Sequence, residues 1–377
     1  MRDTAIHPRR GRLTAHVIVA LCVAAVAGLI LAACGGGGGG SATAAPPAAS
    51  EVHFTSSADT VYGTLLLPAN AAGKVPGAVI LAGSGPTDRD GNSKELNGRT
   101  DTLKDFAQVL AAHGVASLRY DKLGTGETGL ASFASHPDDI GFDVYVQEAK
   151  DAIAYLRTRP GIDPNRIMIV GHSEGGLIAM VVTNALGQKS GIEALALASP
   201  PGNGYLETIE SQLRAQFAAA VAQGSVTQAR ADAANAQTQQ IVDALKTTGV
   251  YPPGLTVTDP ALQSIFSKAN EHFLAQAEQH EPAEEAAKLP AALPILVLHG
   301  DKDQQVSDAD IARLVGALRS SGHTKVESDQ LPDVDHVFKE VPGTPNPASD
   351  YTNAALPFSS AAMAKLAAFV GSLSAKG

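Results

Sequence analysis

Cysteine is almost missing from this chain. Of 377 residues only two are cysteine, Cys22 and Cys34, and both precede residue 51. The body that follows has no thiol for a disulfide, a thiolate metal site or a cysteine nucleophile, so its stability has to come from packing. Basic charge is also scarce: 28 Lys and Arg against 38 Asp and Glu leave a net charge of −10 at pH 7. With no basic stripe to neutralise a phosphate backbone, nucleic acid is excluded as a partner. What the chain does have is apolar material, at 44% hydrophobic and 18% charged residues. That is enough for a large core in one big domain or two ordinary ones.

The N-terminus has the layout of a sorting signal. Arg2, Arg9, Arg10 and Arg12 precede the apolar stretch "VIVALCVAAVAGLILAA", which ends in small residues before Cys34. The ending "LAAC" resembles a bacterial lipobox. The resemblance implies that residues 1–33 are a lipoprotein signal peptide, and that Cys34 becomes the lipidated first residue of a protein held to a membrane of the cell envelope, facing the periplasm or the exterior. An uncleaved signal-anchor helix is the alternative, since the stretch is close to bilayer-spanning length. The glycine run Gly35 to Gly40 and "SATAAPPAAS" complete a tether over residues 34–50, too poor in apolar area to offset the entropy of ordering.

Beyond the tether the hydrophobic period alternates between strand and helix. "VYGTLLLP" reads as a short β segment, and "GAVILAGSG" and "RIMIVG" are continuous apolar runs of the kind found in strands covered on both faces. Between them, "TLKDFAQVLAAHG" places Leu103, Phe106, Ala107 and Leu110 at helical spacing, and "VYVQEAKDAIAYLRTRP" does the same with Val146, Ala149, Ile153 and Leu156. Strands alternating with helices predict parallel βαβ units, hence an α/β fold with a mostly parallel central sheet. The pattern resumes with "IEALALASP" and "PILVLHG". In between, residues 201–290 are rich in Ala, Gln and Glu, carry no convincing strand, and are broken by "YPPGLTVTDP" into at least two helical groups. They read as a helical lid inserted into one core made of residues 51–200 and 291–377, because a structureless loop of that length is uncommon in a compact domain.

The chemistry centres on "GHSEG", residues 171–175. In G-x-S-x-G the glycines give room where a strand meets a helix too closely for side chains, and the serine is pushed out at the sheet's carboxyl edge. Here the motif follows a buried-type strand and opens the apolar run "GLIAMVVTNAL". Ser173 is the candidate nucleophile. A serine hydroxyl is weak at neutral pH, so it needs a histidine to take its proton and a carboxylate to orient that histidine. Acids occur later in "HGDKDQQV", and His336 later still in "LPDVDHVF".

With these motifs the body, from about residue 51 to 377 apart from the lid, resembles an α/β-hydrolase. The resemblance implies a triad of Ser173, Asp303 and His336, with Asp303 preferred to Asp301 by the family's H-G-x-x-D-x-x-V turn, and it implies no cofactor and no metal. His323 is the rival histidine, but it lies just after a helical stretch, where a helix-terminal polar residue is the commoner explanation. Asp333 and Asp335 read as solvated turn residues. The oxyanion of a tetrahedral intermediate needs two backbone N–H groups. Glu174, next after the nucleophile, supplies one. The loop after "AVILAGSGP" resembles the family's H-G-x-G turn and supplies the other, with the Ser84 amide placed ahead of Gly83. Ala82 stands where that pattern has histidine.

"GSGPTDRDG" is similar to a subgroup of bacterial carboxylesterases related to serine aminopeptidases, which points to ester cleavage. Asp88, Arg89 and Asp90 form a charge cluster, read as a local brace for the oxyanion loop in preference to a substrate contact. "DRDGN" is a poor calcium loop, its glycine coming too early and the twelfth-position glutamate being absent. "GTGETG", Gly124 to Gly129, matches a dinucleotide fingerprint literally. The "LASFASHP" that follows has no helical pattern to present to a pyrophosphate, and the stretch instead resembles the family's D-x-R-G-x-G-x-S loop with Leu123 replacing arginine. The expected function is that of a membrane-anchored serine hydrolase acting on small-molecule carboxylic esters through an acyl-enzyme. Peptidase, thioesterase and lysophospholipase are alternatives within the class. A dehalogenase is disfavoured because it would need an aspartate at position 173. A non-enzymatic lipoprotein using the fold as a binding surface is the opposing reading.

Overall fold

Apolar runs such as "AVIL" and "IMIV" become the central strands because both of their faces are covered. The computed structural model describes residues 47–374 apart from 70, 72, 188 and 189. The expected signal peptide, Cys34 and the tether up to residue 46 lie outside the described residues. The strands are β1 (Ala48–Ser56), β2 (Asp59–Leu67), β3 (Val75–Leu81), β4 (Ala116–Tyr120), β5 (Ile162–His172), β6 (Ile192–Ala198), β7 (Ile295–Gly300) and β8 (Val326–Leu331). They form one eight-stranded sheet in the order β1-β2-β4-β3-β5-β6-β7-β8. β1 with β2 and β2 with β4 pair antiparallel; every later pairing is parallel. The architecture is that of an α/β-hydrolase, as the alternating pattern predicts.

One expected boundary moves. Ala48, Ala49 and Ser50, read as the end of the tether, pair with Leu67, Leu66 and Leu65 at the start of β1. Without them the outer edge of β2 would present an unpaired row of backbone donors and acceptors, and extended residues of almost any composition can satisfy such an edge.

The strands send alternate residues to opposite faces. Val79, Leu81, Ile167, Ile169, Leu195, Leu197, Ile295 and Val297 pack into one core layer. Ala78, Ile80, Met168, Val170, Ala194, Ala196, Leu296 and Leu298 pack into the other. The first layer is closed by α2 (Phe142–Arg157) and α3 (Glu174–Leu186), the second by α1 (Thr102–Ala112) and α11 (Ser360–Ser374). α9 (Asp308–Ser320) links β7 to β8, and the short α10 (Pro347–Asp350) precedes α11. The region between β6 and β7 carries α4 (Tyr205–Ala222), α5 (Gln228–Thr248), α6 (Pro260–Ile265), α7 (Glu271–Ala277) and α8 (Pro282–Lys288), with no α-helix across "YPPGLTVTDP". Its buried Leu206, Ile209, Leu213, Ile241, Leu245 and Leu274 join the first layer's core, so the insertion caps the sheet's end as part of one packed body. Among the described residues no helix is long and apolar enough to cross a membrane.

β5, β3 and α3 cross at close quarters. A Cβ on Gly171 would overlap the Gly175 carbonyl, and a Cβ on Gly175 would overlap the carbonyls of Leu81 and Ala82. Only backbone lies in the way, and backbone cannot rotate aside. Gly175→Ala should therefore destabilise the protein by more than about 2 kcal/mol, measured by urea unfolding. A loss under about 0.5 kcal/mol, the range of an ordinary surface change, would contradict this packing.

Candidate active site

Ser173 sits at the turn from β5 into α3 with φ 54° and ψ −124°, in the positive-φ region that a residue with a Cβ occupies only under constraint. Hydrogen bonds on both sides hold it there: Ser173 N–H donates to the Ala198 carbonyl at 2.8 Å, and Gly176 N–H donates to the Ser173 carbonyl at 2.8 Å. The conformation turns the side chain out of the strand, where it lines a cleft with Ser84, Glu174, Leu177, Tyr205 and Val306.

His336 and Asp303 meet. His336 Nδ1 donates to Asp303 Oδ2 at 2.8 Å, which fixes the neutral tautomer and leaves Nε2 bare. The other Asp303 oxygen accepts from the amides of Gln305 and Val306 at 2.8 and 3.0 Å. Burial pushes the Asp303 carboxyl up, but the electrostatic pull and N–H of His336 and those two amides together hold it below the usual carboxylate range. His299, unremarked in the sequence, braces the same turn by donating from Nε2 to the Val306 carbonyl at 3.0 Å. Asp301 instead accepts from the Asp333 amide at 2.7 Å, and His323 lies just past α9 with Nδ1 on the Leu318 carbonyl at 3.0 Å.

The pair is tied to the elbow through His172. Its Nε2 donates to the His336 carbonyl at 2.9 Å, and the two rings lie 5.0 Å apart. Burial, reinforced by the neighbouring His336, lowers the His172 pKa to about 3, so it stays neutral as a fixed donor. The Ser173 hydroxyl makes no hydrogen bond among the described residues. Such a contact to the histidine is often loose in an unliganded hydrolase and tightens around substrate.

The Asp335 reading needs correction. Asp335 is 2% exposed, not a solvated turn residue, and it accepts from the amides of Val337 and Lys339 at 3.0 and 2.8 Å. A loop that must deliver a buried histidine also buries the backbone donors around it, and Asp335 satisfies two of them. Burial raises its pKa to about 6.

The two amides expected to face an oxyanion are unspent: neither Ser84 N–H nor Glu174 N–H donates to another group among the described residues. The Gly83–Ser84 peptide and the Glu174 side chain converge on a group the sequence did not flag. Lys122, 6% exposed, donates from Nζ to the Gly83 carbonyl at 2.6 Å and pairs with Glu174 Oε1 at 3.4 Å. Glu174 Oε2 accepts from the Tyr205 hydroxyl at 2.6 Å, so the first residue of α4 is bonded to the residue after Ser173. The cleft beneath is small, about 50 Å³, and Glu174 is its only carboxylate. A larger hollow of about 530 Å³ lies between Val250 and Glu271 at the insertion's outer side and is lined by none of these residues.

The charge cluster acts as a brace. Arg89 pairs with Glu51, and through Nη2 with Asp121 and Glu127, both at 2.7 Å. Asp90 pairs with Arg119 at 2.9 Å, and Asp88 accepts from the amides of Asp90 and Asn92. All of its ionic partners are the protein's own. The "GTGETG" loop likewise wraps the Asp121 carboxylate, which accepts from the Glu127 amide at 2.9 Å, and is followed by short 3₁₀ turns at Ala131–Ser135 and Pro137–Asp139. No α-helix opens inside it. Among the described residues no group of three or more His, Cys, Asp or Glu is arranged to hold a metal ion.

A sequence model described as serine aminopeptidase, S33, matches residues 96–331, a span that includes Ser173 and Asp303 and stops short of His336. No curated protein sequence matches the chain. Among solved structures, Est1E from Butyrivibrio proteoclasticus with ferulic acid bound is 18% identical with a TM-score of 0.52, over 86% of this chain and 99% of that one. Est1E in a second structure is 15% identical with a TM-score of 0.50 over the same shares. An esterase from Pyrococcus furiosus is 15% identical with a TM-score of 0.49, over 77% and 83%.

Beside Lys122 lies a second buried acid. Glu148 on α2 is 3% exposed, and among the described residues its carboxylate accepts only from the Leu123 amide, at 3.0 and 3.3 Å. Burial raises its pKa to about 8, against the opposing pull of that amide and of Lys122. The folded state thus keeps a proton that the unfolded chain, at its usual 4.5, has released, and stability falls as pH rises from 4.5 to about 8. Glu148→Gln removes this titration. The unfolding free energy of the variant minus that of the wild type should climb through that window and level off above it. A difference that stays constant with pH would show that Glu148 ionises normally.

Proposed function

The chain belongs to the serine aminopeptidase S33 family, and from that premise we propose that it is a carboxylesterase-like serine hydrolase for small carboxylic esters. The observation that carries the reading is the His336–Asp303 hydrogen bond at 2.8 Å, anchored to the elbow by His172, the residue that precedes Ser173. Ser173 Oγ attacks the ester carbonyl and His336 Nε2 takes its proton. Asp303 stabilises the imidazolium without itself being protonated. The carbonyl oxygen becomes an oxyanion facing the Ser84 and Glu174 amides. On collapse the alkoxide leaves with the proton from His336, and water repeats the sequence to release the acid and free Ser173.

A cleft of about 50 Å³ is small beside the roughly 300–1,000 Å³ of an ordinary ligand pocket, and this favours short acyl groups. The family description gives a second reading, an aminopeptidase. Such an enzyme needs a free anion for the substrate ammonium, and the cleft's one carboxylate, Glu174, is already engaged by Lys122 and Tyr205. That favours esters over N-terminal amines. Thioesters and lysophospholipids call for the same acyl transfer with other leaving groups.

The body from residue 47 onward, assayed on p-nitrophenyl esters from acetate to palmitate, should prefer the two- to four-carbon acyl groups. Ser173→Ala should abolish turnover, and Asp303→Asn should lower kcat by about 10³- to 10⁴-fold. Turnover of aminoacyl p-nitroanilides with no ester activity would move the reading to peptidase, and hydrolysis that survives Ser173→Ala would remove the serine mechanism. The proposal includes anchoring in the cell envelope through a lipid on Cys34, supported by the arginines and "LAAC" of the N-terminus. In a bacterial host the full chain should incorporate an alkyne-tagged fatty acid, and Cys34→Ala should not; equal labelling of the two would exclude it.

A further inference from the structure

The Gly83 carbonyl and the Ser84 N–H are two ends of one peptide group, and a planar peptide cannot turn one without turning the other. Lys122 Nζ donates to that carbonyl at 2.6 Å. The same ammonium lies 3.4 Å from Glu174 Oε1 and 5.2 Å from the centre of the Tyr145 ring. It therefore touches the peptide that carries one proposed oxyanion donor and the side chain of the residue that carries the other. Ala82 stands where related loops carry histidine, and Lys122 reaches the same loop from the far side, off the end of β4.

We infer that Lys122 is the positioning residue of the oxyanion hole: its charge-assisted hydrogen bond to the Gly83 carbonyl aims the Ser84 N–H at the reacting carbonyl and polarises it. A cation on the oxygen of an amide draws electron density from its nitrogen, and the N–H becomes a stronger donor. The effect is greatest where negative charge develops, so it belongs to the transition state more than to substrate binding. This inference rests on the proposed serine mechanism and adds to it a residue that contacts neither the nucleophile nor the substrate.

The rival explanation is that Lys122 serves only as counter-ion to a buried carboxylate. Removing one member of such a pair strands the other and destabilises the protein, whereas removing both does not. The test measures p-nitrophenyl acetate kinetics and melting temperature for wild type, Lys122→Met, Lys122→Met/Glu174→Gln and Ser173→Ala. Loss of a direct oxyanion donor costs about 10²- to 10³-fold in kcat, and the indirect contribution of Lys122 should be about ten- to a hundredfold, with KM within about twofold. In the double variant the melting temperature should recover while kcat stays low. Should Lys122→Met fail to fold, the charge-balanced double variant carries the measurement. Recovery of kcat together with melting temperature would overturn the inference and leave Lys122 a counter-ion, as would a loss confined to KM. Hydrolysis that persists in Ser173→Ala would overturn the serine mechanism and the inference with it, a result distinct from normal dependence on Ser173 with kcat indifferent to Lys122.

Discussion

The structure turns on the crowding of three backbones at one point. β5, β3 and the first turn of α3 approach so closely that Gly171 and Gly175 have no room for a methyl group. That approach forces Ser173 into positive φ, a strain of order 1–3 kcal/mol that the surrounding hydrogen bonds must over-determine. Relaxing the crowding would let Ser173 fall back into the strand. The Ala198 carbonyl would lose its donor, and Glu174 would no longer start the helix with its N–H turned outward. The exposure of Ser173, the free amide beside it and the seating of α3 on the sheet are one geometric fact.

Around that point several side chains work by being buried and paired. Asp303 is held anionic by His336 and two amides, His172 is held neutral by its surroundings, and Lys122 and Glu174 neutralise one another. In a low dielectric each of these contacts is stronger than its exposed counterpart, and each orphaned group would cost more. The Arg89 pairs with Glu51 and Glu127 differ, since both carboxylates are largely in water, where ion pairs are worth little. The buried pair of Arg89 with Asp121 fastens the Ser84 loop to the end of β4.

The Ser173 elbow and the late loop of His336 were legible in the sequence because each sits in a stretch whose local pattern has a local cause, a strand that ends in G-x-S-x-G and a loop before the last helix; the buried strand that ends in acids left Asp301 and Asp303 open, and the family resemblance pointed to Asp303, the one that meets His336. The alternation of strand and helix was legible for the same reason. Lys122 and Tyr205 were not, since their shared partner Glu174 lies 52 and 31 residues away from them in the chain, and neither carries a local signature. Asp335 was misread because polar loop residues are usually solvated; the burial of its loop is set by Phe338, which packs between Phe106 and Phe358, and no short window contains all three. Ala48 to Ser50 misled by composition, since an edge strand needs only a partner's backbone.

The bond from Tyr205 to Glu174 bears on how freely the insertion can be exchanged. The Glu278 carboxylate accepts from the Leu206 amide at 2.8 Å, so the start of α4 is stitched both to the elbow and to the end of α7. The segment that crowns the site is therefore moored at its root. A chimera that trades the whole stretch from just beyond Leu206 to just before Glu278, α5 and α6 with the rest of α4 and α7, keeps both moorings, and one cut nearer the sheet would also sever the scaffolding of Ser173.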